Sequence, residues 1–60
     1  MQDEILTVEE AAQYLKVDPV TIRNIIRRGE LQALKVGRVY RIRRVDLDSL
    51  LMKIEPELNK

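Results

Sequence analysis

Apolar residues recur at helical spacing from Val8 onward: Val8, Ala11, Ala12 and Leu15 stand at i, i+3, i+4 and i+7 and form one stripe. They predict a helix from Val8 to Leu15 or Lys16, and the small Ala11 and Ala12 let a second helix approach closely. The tetrad Thr7-Val8-Glu9-Glu10 reads as a capping box, in which Thr7 bonds the N–H of Glu10 and the Glu10 side chain reaches back. Both glutamates also suit the positive end of the helix dipole. A second stripe, Ile22, Ile25 and Ile26, lies between Asp18 and Gly29. Asp18 can accept from the free N–H groups of a first turn. Pro19 fits the first helical position, and Gly29 fits the left-handed residue that ends many helices. A helix over residues 19–28 follows. At about 100° per residue, Val20, Arg23, Asn24 and Arg27 lie opposite the isoleucines, with Thr21 and Arg28 beside them. Only Lys16 and Val17 separate the two helices, so the chain must turn sharply there, with Val17 filling the corner.

Beyond Gly29 the period changes to two. Leu34, Val36, Tyr40 and Ile42 are apolar, and Lys35, Arg41 and Arg43 alternate with them. Gly37-Arg38 marks the turn of a hairpin, about 32–36 and 39–43. A lone hairpin is marginal in water, so this one is expected to pack on the helices through Leu34, Val36, Tyr40 and Ile42, showing Lys35, Arg38 and Arg41 outward. Helical spacing returns from Arg44 to about Ile54, with Val45, Leu47, Leu50, Leu51 and Ile54 apolar. Asp46 and Asp48 near its start and Lys53 near its end suit the dipole. This third helix should close the core against the first two. Pro56 should end it, leaving a loose tail, while Met1 to Leu6 reads as a lead-in anchored by Ile5 and Leu6. Tyr14 lies off its stripe and reads as a partly buried aromatic with a hydroxyl in water, a phosphate contact being the alternative.

Sixty residues allow one domain, 1–60, with its core at about 6–54 and frayed ends. A chain of this length buries only about 60% of its unfolded surface, too little for a roomy, water-excluding active site. It has no cysteine and no histidine. Disulfides, Cys/His zinc sites and histidine acid–base chemistry are therefore excluded, and no cofactor or metal is expected. Glu9, Glu10, Asp46 and Asp48 are explained by helix starts, and no nucleophile–base pair is visible, so an enzyme is not expected. No apolar run approaches a membrane span, which suggests a cytoplasmic, nucleoid-associated protein. The net charge of +1 conceals a pattern: residues 1–18 carry −4, residues 19–44 carry +7 and residues 45–60 carry −2. A basic middle rich in arginine attracts phosphate, and the guanidinium fork pairs bidentately with phosphate or guanine.

Two short helices joined by so tight a turn, the second with polar residues outward, form a helix-turn-helix unit. The first braces the second, whose N-terminal half can enter a major groove. The whole order resembles the excisionase-type winged helix-turn-helix domains related to MerR regulators, over about Leu6 to Leu51. The matching pieces are Leu6-Thr7-Val8-Glu9-Glu10-Ala11-Ala12, Leu15-Lys16-Val17-Asp18 leading to Thr21-Ile22, Arg28-Gly29-Glu30-Leu31, Lys35-Val36-Gly37-Arg38, Tyr40-Arg41-Ile42 and Asp46-Leu47. The resemblance implies a mainly α, α+β fold of helix, helix, two-stranded wing and helix. It further implies a recognition helix 19–28 in the major groove and a wing 32–43 over the backbone or minor groove. Base-facing roles then fall to Val20, Thr21, Arg23, Asn24 and Arg27, and wing roles to Lys35, Arg38 and Arg41. Three positions depart from the family: Lys16 where glycine is common, Arg43 where proline is common, and Leu50 where an aromatic is common. A left-handed backbone at Lys16 would carry modest strain.

The expected function is sequence-specific binding of double-stranded DNA by a small excisionase-like or MerR-like regulator. Arg23, Asn24 and Arg27 would read base edges, with Thr21 serving a base or a phosphate. Lys35, Arg38, Arg41, Arg28 and Arg44 would contact phosphate. One such module buries little surface, on the order of 600–1,000 Å². Several copies on adjacent sites or weak self-association are therefore expected, with a recombinase or the transcription machinery as a further partner. The sequence lacks the long dimerisation helix of many MerR-type regulators, so a ligand sensor would lie on another protein. The alternative is a protein-interaction module, adaptor or antitoxin-like, that keeps the fold and uses exposed Val20 and Val39.

Overall fold

A computed structural model describes residues 4–53. Its elements run β1 (Ile5–Leu6), α1 (Val8–Leu15), α2 (Pro19–Arg27), β2 (Leu34–Val36), β3 (Val39–Arg43) and α3 (Arg44–Lys53). Three helices and a small antiparallel sheet make a winged helix-turn-helix of the α+β class. Expectations for Ile54, Pro56 and the two chain ends lie outside the described residues.

Local chemistry sets the helix bounds. Thr7 and Glu10 form the capping box, with the Glu10 N–H donating to Thr7 Oγ1 at 3.0 Å and the Thr7 N–H to Glu10 Oε1 at 2.9 Å. Both α1 and α2 end in the same double closure. The Lys16 N–H reaches the Gln13 carbonyl while that of Val17 reaches Ala12, and the Gly29 N–H reaches Ile26 while that of Glu30 reaches Ile25. This is the Schellman arrangement, which needs a left-handed residue. Gly29 supplies it at φ 81°, and Lys16 adopts it at φ 60°, at the position where the family often carries glycine.

Asp18 does not cap α2 with its side chain, contrary to expectation. Its backbone is extended, as a residue before proline prefers, and its own carbonyl accepts from the N–H groups of Thr21 and Ile22 at 2.9 and 3.3 Å. The helix also ends at Arg27, a residue short of the expected 28.

Ala11 and Ala12 are buried, as are Ile22, Leu31, Ile42 and Leu47, while Leu15, Ile25, Ile26 and Leu50 pack around them. Val17 does not fill the corner; it stays exposed.

The sheet has the order β1-β3-β2. The lead-in is thus a strand, with Ile5 opposite Arg43 and Leu6 opposite Ile42. In the hairpin Val36 pairs with Val39, Lys35 with Tyr40 and Leu34 with Arg41. The turn Gly37-Arg38 has positive φ at Gly37 alone, the pattern of a type II′ hairpin. Directly opposed residues share a face, so this register puts Leu34 and Val36 beside Val39 and Arg41, away from the core. Leu34 is 53% and Val36 60% exposed. The expected inward packing of Leu34 and Val36 is therefore overturned; the hairpin is anchored by Ile42 and Tyr40. The first strand is also shorter than expected, Leu34–Val36, with Gln32 and Ala33 preceding it.

The third helix joins the core through Leu47, which is buried in one cluster with Val8, Ala11 and Ala12 of α1, Ile22 of α2 and Ile42 of β3. Leu47 is buried and Leu50 half-buried, but Val45 and Leu51 are exposed. Its start is secured by a bidentate pair, Arg43 Nε and Nη2 to Asp46 Oδ2 and Oδ1 at 2.9 and 3.2 Å. No helix among the described residues is long and apolar enough to cross a membrane.

Candidate nucleic-acid interface

The exposed face of α2 and the wing stand on either side of a cleft of about 300 Å³. Arg23 and Arg27 line it from α2, Glu9 and Val8 from the first turn of α1, and Lys35, Arg38, Val39, Tyr40 and Arg41 from the wing. Five basic side chains thus meet one carboxylate. The isoleucine stripe dictates this arrangement: burying Ile22 turns Arg23 and Arg27 one and five residues on toward the wing, while β3 pins the wing to the core through Ile42.

Arg27, Lys35, Arg38 and Arg41 have no carboxylate within salt-bridge distance among the described residues. Lys35 sits 5.7 Å above the Tyr40 ring, and Arg41 donates to the Tyr40 carbonyl at 2.9 Å, so both are held on the wing. Arg23 Nη2 lies 3.6 Å from Glu9 Oε2.

Val20, Thr21 and Asn24 are exposed on α2 outside the cleft lining. Arg28 and Arg44 are not brought to the cleft. Arg28 pairs with Glu30 at 3.3 Å. Arg44 lies across the molecule, donating to Glu4 at 3.0 Å and stacking 5.3 Å from the Tyr14 ring. The neighbouring Tyr14 oxygen and Glu4 carboxylate hold its guanidinium still more firmly protonated than usual. Tyr14 is spoken for as well, its hydroxyl donating to Asp48 at 2.6 Å rather than to water.

Glu9 is the cleft residue that sequence reasoning missed, because a glutamate in a first turn is already explained by the dipole. The signal was the capping box itself, which employs Glu10 and leaves Glu9 free. No cluster of side chains suited to holding a metal occurs among the described residues.

Comparison with known proteins agrees with this architecture. Two proteins of Mycobacterium tuberculosis, from strains CDC 1551 / Oshkosh and ATCC 25618 / H37Rv, are each named as a presumed DNA-binding protein. Each is 38% identical to this chain over 39 residues, which is 65% of this chain and 50% of the relative. The chain spans about half the length of the curated relatives it matches. The helix-turn-helix domain family matches residues 5–54, nearly the whole chain, and the protein belongs to that family.

Proposed function

We propose that the protein binds double-stranded DNA, with α2 in the major groove and the wing over the flanking backbone. The observation that carries the reading is the convergence of Arg23, Arg27, Lys35, Arg38 and Arg41 on one cleft, four of them without a carboxylate partner among the described residues. An α-helix with its side chains is about 10–12 Å across, which fits a major groove about 12 Å wide. The relatives named for DNA binding support the same reading. Arg23, Asn24 and Arg27 read base edges, Val20 and Thr21 make the accompanying apolar and hydroxyl contacts, and Lys35, Arg38 and Arg41 hold phosphate. Arg28 and Arg44 fall outside this assignment, since both are engaged elsewhere.

The small contact area argues for several copies on adjacent sites, in the manner of an excisionase-like or MerR-like regulator in the cytoplasm. A recombinase or the transcription machinery would then be the further partner. The test is a fluorescence-anisotropy titration against mixed-sequence duplex at low and physiological salt. Binding that weakens steeply with salt supports the reading; no binding at low salt would contradict it.

A second reading, a protein-interaction module, draws on the exposed Val20, Val39, Leu34 and Val36. Apolar association of that kind would be nearly independent of salt.

A further inference from the structure

Glu9 is the one carboxylate among the residues lining the cleft. The fold does not require it there, since the reciprocal cap bonds run between Thr7 and Glu10. Its carboxylate lies 3.6 Å from the Arg23 guanidinium, with the two side chains 68% and 40% exposed. An ion pair so open to water contributes little to folding. Its consequence is for what Arg23 can bind.

A phosphate approaching Arg23 must displace Glu9 or crowd against its charge. Guanine instead presents O6 and N7, two neutral acceptors matched to the guanidinium fork. Arg23 can keep one edge on Glu9 and offer the other to such a base without bringing two anions together. Lys35, Arg38 and Arg41 have no such companion among the described residues and remain open to phosphate.

We propose that Glu9 is a specificity-determining residue, whose charge disfavours phosphate at Arg23 and favours a base edge there. The inference rests on the DNA-binding reading above. Glu9→Gln removes the charge at nearly constant shape. Glu9→Asp keeps a charge at the helix start but withdraws it from Arg23 by one methylene.

The test is anisotropy titration of full-length wild type, E9Q, E9D, R23A and the E9Q/R23A double variant against mixed-sequence duplex between 50 and 200 mM salt, with circular dichroism to check folding. E9Q is expected to bind at 50 mM salt up to about fivefold more tightly, the equivalent of one exposed ion pair. Its salt slope should steepen by about 0.9, so that it loses about threefold more affinity than wild type across the range. E9D should fall between the two, and E9Q should add nothing once Arg23 is alanine. Wild-type binding with E9Q unchanged or weaker would overturn the inference and leave the DNA reading intact. An E9Q gain that persists in the R23A background would overturn it too, reducing Glu9 to general repulsion. If E9Q does not fold, E9D binding no better than wild type does the same. No wild-type binding at 50 mM salt overturns the DNA reading and this inference together.

Discussion

The Tyr14 hydroxyl on α1 donates to a carboxylate oxygen of Asp48 on α3 at 2.6 Å, joining the helix that braces α2 to the helix that follows the wing. Arg44 of α3 also stacks on the Tyr14 ring at 5.3 Å, so α3 meets this one α1 side chain through two polar contacts. Tyr14→Phe should destabilise by about 0.5–1.5 kcal/mol. Asp48→Ala should add little once Tyr14 is phenylalanine. Urea unfolding of the two single variants and the double variant checks the coupling, and strict additivity would contradict it.

Ile22 and Ile42 are fully buried and belong to the two elements that face each other across the cleft. Ile22→Ala should cost about 2–5 kcal/mol and Ile42→Val about 0.5–1.5 kcal/mol. A domain this small has little stability to lose, so I22A should be largely unfolded at 37 °C and I42V folded. Thermal melts by circular dichroism distinguish the outcomes.

Lys16 holds a left-handed backbone at φ 60°, in the closure that Gly29 makes with glycine. A non-glycine residue there costs about 1–2 kcal/mol, while glycine gives back about 0.5–1 kcal/mol through the unfolded chain. Lys16→Gly should therefore stabilise by about 0.5–1 kcal/mol, read as a higher urea midpoint. A lower midpoint would show that the lysine side chain stabilises the fold in another way.

What the sequence made legible was what short-range chemistry decides. The capping box, the bounds of α1, the left-handed Gly29 and the hairpin turn each depend on residues within about one helical turn or one β-turn. The failures are long-range or cooperative. β1 exists because Leu6 meets Ile42, thirty-six positions away, which no local pattern announces. Leu34 and Val36 alternate with lysine just as Tyr40 and Ile42 alternate with arginine, but the two-residue turn fixes a register that sets the two apolar rows on opposite faces. In the site, helical spacing placed Arg23 and Arg27 on the outward face. It gave no sign that Arg44 would be drawn to Glu4 and Tyr14, or that Glu9 would reach Arg23.

The division of the arginines makes a contrast measurable in one series. Arg27→Ala and Arg38→Ala should each weaken binding to mixed-sequence duplex, and R38A should lower the salt slope by about 0.9. Arg44→Ala should leave both affinity and slope unchanged while lowering stability, since its partners are Glu4 and Tyr14. A loss of affinity in R44A equal to that in R38A would move the interface off the cleft.

The most direct measurement is amide chemical-shift mapping of the isotopically labelled protein titrated with a short duplex at low salt. Shifts concentrated on Val20 to Arg28 and Lys35 to Arg41, with α3 silent, are the predicted result. Shifts centred on the exposed Leu51 and Met52 of α3, or none at all, would contradict the account.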